Sequence, residues 1–152
     1  MHDNPFSDRE ISARLTRVRK ELERRKLHAA IFASPENVFY LTGLDHWGYF
    51  APHLLIVPLA GENILITRVM ERVSVEKQVR SAAFRGHSDS ESAADMAARV
   101  LREVKLADKA IGLEYLTSAI FMRFRGPEGL CDRYGEGQGE RGRSGVIVPR
   151  PP

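Results

Sequence analysis

Glu36-Asn-Val-Phe-Tyr-Leu-Thr-Gly-Leu-Asp-His-Trp-Gly-Tyr-Phe50 holds the chain's single Trp, two of its four Tyr and two of its seven Phe. Directly before it stands Ser34-Pro35, an N-cap serine followed by proline at the first helical position, where a missing N–H costs nothing. The pair predicts a short helix over Asn37 to Thr42, and Gly43 stops it as a left-handed C-cap. Beyond Gly43 the stretch becomes an irregular loop. Its large amphipathic rings exceed what one helix face can bury. Part of it therefore lines a surface that meets a ligand, a second domain or a second subunit.

Toward the N-terminus, Ala29-Ala-Ile-Phe-Ala33 is a short apolar run without alternation, as in a strand buried on both faces of a parallel or mixed sheet. Before it, Ser7-Asp-Arg-Glu10 has the form of a capping box. Ile11, Leu15, Val18 and Leu22 then recur at helical spacing, an amphipathic helix to about Lys26 with a narrow apolar stripe.

Toward the C-terminus, Leu54–Val57 and Ile64–Thr67 read as two strands joined in a hairpin across Pro58 to Asn63, with Gly61 and Asn63 at the tip. A helix over Val69–Val79 and a short strand at Ala82–Phe84 follow. Ser88-Asp-Ser-Glu91 resembles a second capping box, opening a helix to about Lys105. Lys109–Leu113 reads as a strand and Ser118–Phe124 as the first turns of a further helix. Buried strands alternating with amphipathic helices, plus one hairpin, predict an α/β sandwich with a mixed sheet.

The character of the chain changes at Gly126. Residues 126–152 carry seven of the twelve glycines and four of the eight prolines. Two parts are expected: a folded domain over 1–125, and a Gly/Pro/Arg-rich tail over 126–152 that is disordered or loosely docked.

At 152 residues, 43% apolar and 28% charged, the chain fits one soluble domain. No apolar run is long enough to cross a bilayer, and the N-terminus lacks the pattern of a secretory signal. One cysteine, Cys131, excludes an internal disulfide framework, and the expected location is the cytoplasm. The net charge of +3 comes from Asp8–Lys26, with eight Lys/Arg against four Asp/Glu. Interleaved with apolar positions, these form a solvated helix face, so neither nucleic acid nor a membrane is an expected partner.

No complete catalytic apparatus is legible. Gly137-Gln-Gly-Glu-Arg-Gly142 matches Gly-x-Gly-x-x-Gly, but no strand precedes it and no helix follows, so it does not read as a dinucleotide site. The five histidines show no metal-ligand spacing. Asp45, His46 and His53 could converge on one loop, although His46 reads better as a polar contact on a binding surface and His53 as a strand start. No Gly-x-Ser-x-Gly elbow or phosphate-binding loop is present.

Asn37-Val-Phe-Tyr-Leu-Thr-Gly43, preceded by the N-terminal helix and the strand Ala29–Ala33, resembles the N-terminal domain of the creatinase and Xaa-Pro peptidase (prolidase, aminopeptidase P) family. Ile64-Leu-Ile-Thr-Arg68, Glu71 and Ile111-Gly-Leu-Glu114 follow in the expected order. The resemblance covers about residues 10–125. Leu44–Phe50 is similar to members that hydrolyse small non-peptide amides, such as creatinase and ectoine hydrolase.

The resemblance implies a three-layer α/β/α domain with a mixed, mainly parallel sheet containing one hairpin, itself non-catalytic. In such proteins a second, C-terminal domain supplies two aspartates, a histidine and two glutamates that hold two metal ions. The N-terminal domain helps form a homodimer and leans loop residues over the partner's active site. This chain is accordingly expected to stop before the catalytic domain, to hold no cofactor or metal itself, and to be inert alone. The tail from Gly126 is expected to be an out-of-frame extension. The residues expected to touch substrate or partner are Asp45, His46, Trp47, Tyr49 and Phe50. The competing readings are a free-standing module that binds a small polar metabolite against the same aromatic loop, and an independent enzyme with an unrecognised site.

Overall fold

The computed structural model describes residues 4–45, 51–114 and 146–147. Six strands form one mixed sheet in the order β4-β3-β2-β1-β5-β6. They are β1 (Ala29–Phe32), β2 (Leu54–Pro58), β3 (Asn63–Arg68), β4 (Ala82–His87), β5 (Ile111–Leu113) and β6 (Val146–Ile147). The predicted hairpin is the antiparallel pair β2–β3, and β2 also runs antiparallel to β1. β1 pairs with β5 and β3 with β4 in parallel, so β1, β3, β4 and β5 all run one way. β6, a short antiparallel strand from the tail, pairs with β5.

The continuous apolar runs follow from covering both faces of the sheet. Along β2, Leu54 and Ile56 face one side, where they join Ile31, Ile64, Ile66 and Ile111 beneath α4 (Ala93–Glu103). Leu55 and Val57 face the other, where they join Leu65 beneath α1 (Asp8–Arg24), α2 (Pro35–Thr42) and α3 (Arg72–Gln78). The result is the three-layer α/β/α arrangement. Ala93, Ala94 and Ala97 leave α4 a small-residue face toward the sheet.

Local chemistry set most of the helix ends. Ser34 Oγ accepts from Asn37 N–H, Pro35 occupies the first turn, and Gly43 ends α2 at φ 73°. The Ser7 box is only half made: Ser7 Oγ accepts from Glu10 N–H at 3.2 Å, while the Glu10 carboxylate pairs with Arg14. The predicted helix over Val69–Val79 divides into a 3-10 turn, Val69–Glu71, and α3.

The expected start of the last described helix is corrected. Residues 88–91 form a turn, and α4 starts at Ala93 with Ser92 and Asp95 making the reciprocal box. The cause is His87. Its Nδ1–H donates to the carbonyls of Ser88 (3.0 Å) and Glu91 (2.9 Å), which holds the intervening backbone in a turn. Hydrogen bonds from Ser92 also hold the Asp95 carboxyl below the usual carboxylate range. Ser118–Phe124 and nearly all of 126–152 lie outside the described residues.

α1 keeps most of its cations in solvent, as expected of a solvated face, but Arg14 is buried. Its guanidinium lies 3.9 Å from the Phe6 ring centre and 4.2 Å from that of Tyr40, and donates to Tyr40 O at 2.6 Å. Cation–π stacking and this charge-assisted bond join α1 to α2.

Candidate functional site at the carboxyl edge of the sheet

In open α/β sheets, ligands sit outside the carboxyl ends of the strands, where the chain switches sides. Here β1 leads into α2 on one face, while β5, which lies beside β1, is reached from α4 on the other. The crevice between β1 and β5 is filled by the protein itself. Glu114, just past β5, turns its carboxylate onto the start of α2. One oxygen accepts the backbone N–H groups of Ala33 and Ser34, both at 2.8 Å. The other accepts Ser34 Oγ–H at 2.6 Å and the Asn37 side-chain amide. A carboxylate at a helix N-terminus satisfies orphan donors and meets the positive end of the helix dipole. The place where a sheet of this kind would take an anion is therefore already occupied.

Glu114 sets the start of α2, and the loop after α2 is pinned at both ends. Near its start, Asp45 N–H donates to Gln78 Oε1 at 2.8 Å, at the last residue of α3. Asn4 braces the same corner: its Nδ2 donates to Thr42 O (2.8 Å) and Gln78 O (2.9 Å), and its Oδ1 accepts Phe6 N–H. A Cβ at Gly43 would run into the Asn4 side chain. At the far end, His53 Nε2 lies 2.7 Å from Glu71 Oε2, the imidazole N–H donating to the carboxylate. Both side chains are almost fully buried.

Of the five expected contact residues, Asp45 is exposed and anchored through its backbone. His46, Trp47, Tyr49 and Phe50 lie outside the described residues. His53 pairs with Glu71, and the expected meeting with His46 lies outside the described residues. Among the described residues, no group of three or more His, Cys, Asp or Glu side chains could hold a metal ion.

Two features escaped the sequence reading. One is the buried His53–Glu71 pair. The other is an exposed apolar cluster around it, Val69, Met70 and Val73, with Met70 70% and Val73 68% exposed. Neither left a signal in the sequence: only the fold shows Glu71 buried while its apolar neighbours are exposed.

Fold and site define an α/β/α sandwich in which Glu114 closes the start of α2 at the carboxyl edge of the sheet, with Asp45 and His53 each tied to a neighbouring element. The model of the Creatinase/Prolidase N-terminal domain matches residues 14–127, and the chain belongs to this family. Ectoine hydrolase of Halomonas elongata is 31% identical over 67 residues, which are 44% of this chain and 17% of that protein. The chain thus aligns with about a sixth of that relative's length. A Creatine_N superfamily domain of a dipeptidase from Streptococcus thermophilus superposes with a TM-score of 0.59 at 26% identity, covering 70% of this chain and 78% of that one. Dipeptidase PepE of Mycobacterium ulcerans shares the fold at TM-score 0.62 and 17% identity, over 75% of this chain and 31% of that one. No helix among the described residues is long and apolar enough to cross a membrane.

Proposed function

We propose that this chain serves as the non-catalytic N-terminal domain of a creatinase/prolidase-like metallohydrolase. It contributes to a homodimer and gates substrate access with the loop from Asp45 to Phe50, and it is inert by itself. The observation that carries the reading is the double anchorage of that loop. Asp45 N–H is held by Gln78 and His53 by Glu71, so the described residues on either side of positions 46–50 are each fixed to a neighbouring element. The exposed Val69, Met70 and Val73 flank the second anchor and extend the contact surface. The chemistry of hydrolysis belongs to metal ligands in a separate catalytic domain.

The test has two arms. With Mn²⁺ or Zn²⁺ added, the chain is expected to hydrolyse neither Xaa-Pro dipeptides nor ectoine, and measurable turnover would overturn inertness. Sedimentation velocity across micromolar concentrations is expected to show a reversible dimer that Trp47→Ala weakens. A strict monomer, or a dimer indifferent to Trp47 and to Met70→Glu, removes the interface role.

A further inference from the structure

β4 forms one border of the sheet, paired only with β3. Beyond that ladder its backbone makes no hydrogen bond among the described residues. An edge strand presents a row of unpaired N–H and C=O groups, which natural sheets blunt with proline, lysine, a bulge or a very short strand. β4 uses none of these. Ala82–His87 stays in unbroken register with β3, contains neither proline nor lysine, and carries one arginine, Arg85. Five of its six residues are at least partly exposed, whereas β2 and β3 are buried almost throughout.

The cover of this edge is equally open. α3 lies over β4: Val75 and Val79 pack with Ala82 and Phe84, and the Arg72 guanidinium sits 5.3 Å from the Phe84 ring centre. Just before α3, Val69 closes on the end of the strand, where a Cβ on Gly86 would meet Val69 Cα at 2.9 Å. Val69 and Val73 are exposed. Arg72 and Glu76 are largely exposed too and lie 3.8 Å apart, a pair that contributes little within one chain.

A second copy fits both features at once. A strand edge is self-complementary about a twofold axis, the two strands running antiparallel. One strand residue advances about 3.3 Å and one helix residue about 1.5 Å. With Arg72 over Phe84, an axis at Ala83 therefore passes beside Ser74. About Ser74, Arg72 and Glu76 exchange places, so each meets its opposite charge on the copy. Arg85 falls opposite Ser81 of the copy, clear of its own kind. An extended peptide would satisfy the edge but leave Arg72, Glu76 and the valines bare.

We propose that two copies of this chain join edge to edge along β4 into one continuous sheet. α3 packs beside α3 of the copy, and Arg72 pairs with Glu76 across the seam. The inference rests on the homodimer proposed above and names where its halves meet.

The test joins sedimentation velocity to amide exchange on the full 152-residue chain. As the chain dimerises, the alternate amides of β4 that β3 leaves free are expected to slow their exchange. Arg72→Glu and Glu76→Arg each set like charges across the seam and should each weaken the dimer about tenfold. Mixed in equal amounts, the two variants restore both pairs in a heterodimer and should associate as tightly as the unchanged chain. Both side chains are largely exposed, so both variants keep the fold. A strict monomer removes the dimer reading and this seam with it. A dimer that leaves the β4 amides unprotected, or single variants that associate as well alone as mixed, overturns the seam alone. Amides that are slow at every concentration would mean that the edge is covered within one chain, which also overturns it.

Discussion

Replacing Glu114 with Ala tests whether the β1–β5 crevice is held shut by this carboxylate. The change deletes the acceptor for Ala33 N–H, Ser34 N–H, Ser34 Oγ–H and the Asn37 amide together. One hydrogen bond to a charged group contributes about 1.5–3 kcal/mol, and a negative charge at a helix N-terminus about 0.3–1 kcal/mol. The four bonds do not add, because they share two oxygens and the released backbone donors can turn to water in a cluster only part-buried. A loss of about 3 kcal/mol is the expected result for Glu114→Ala, and about 2 kcal/mol for Glu114→Gln, which keeps the shape and loses the charge. For a domain of this size the larger figure lowers Tm by about 10 °C. Urea unfolding followed by far-UV circular dichroism measures it. A cycle with Asn37→Ala should show a coupling of about 1 kcal/mol. If Glu114→Ala costs under about 0.5 kcal/mol, or adds to Asn37→Ala without coupling, the carboxylate does not organise α2 and the reasoning fails.

Gly43→Ala should cost about 3 kcal/mol by thermal melt: about 1–2 kcal/mol for a side chain at φ 73°, and the rest for displacing Asn4 from the Thr42 and Gln78 carbonyls. In an Asn4→Ala background only the backbone part should remain. Glu71→Ala, which deletes the carboxylate that accepts His53 Nε2–H, is expected to lose about 2 kcal/mol in urea. The neighbouring Val73→Lys, at an exposed position, should stay within about 0.5 kcal/mol. Two exposed carboxyls predict a pH dependence. Arg24 and Arg25 lower Glu21 to about 2, and Ser92 lowers Asp95. For a depressed acid, the stability it contributes is present above the unfolded pKa and lost as pH falls through the folded one. For Glu21 that window runs from 4.5 down to about 2. Glu21→Gln/Asp95→Asn should therefore flatten the fall of the urea midpoint with acid, and an unchanged slope would contradict it.

What the sequence disclosed was local. Ser34, Pro35 and Gly43 act on backbone within a few residues, so the bounds of α2 could be read directly. The apolar runs of β1, β2 and β3 were legible because both faces are covered. Where two capping signals competed, a neighbouring side chain decided. Ser88-x-x-Glu91 and Ser92-x-x-Asp95 both fit a capping box, and the choice fell to His87, which no capping pattern includes. β4 runs on through Arg85, Gly86 and His87, which have no strand pattern, because β3 supplies a full ladder of partners. The site was less legible. Ile-Gly-Leu-Glu114 and Ser-Pro-Glu-Asn37 were recognised as separate motifs, yet they are one cluster joined across nearly the whole domain. The His53–Glu71 pair was hidden because each residue makes sense only in the presence of the other.

That cluster also bears on the order in which the domain can fold. α2 has eight residues, too few to persist alone, and its first turn is completed by a residue about 80 positions further along the chain. β1 likewise finds its parallel neighbour only in β5. A chain emerging from the ribosome can close the β2–β3 hairpin early, while α2 waits until Glu114 is out. Contacts of such sequence separation slow folding, and until they form, the aromatic segment from Trp47 to Phe50 follows a helix that is not yet fixed. A residue made about 80 positions after α2 thus decides when that helix is secured.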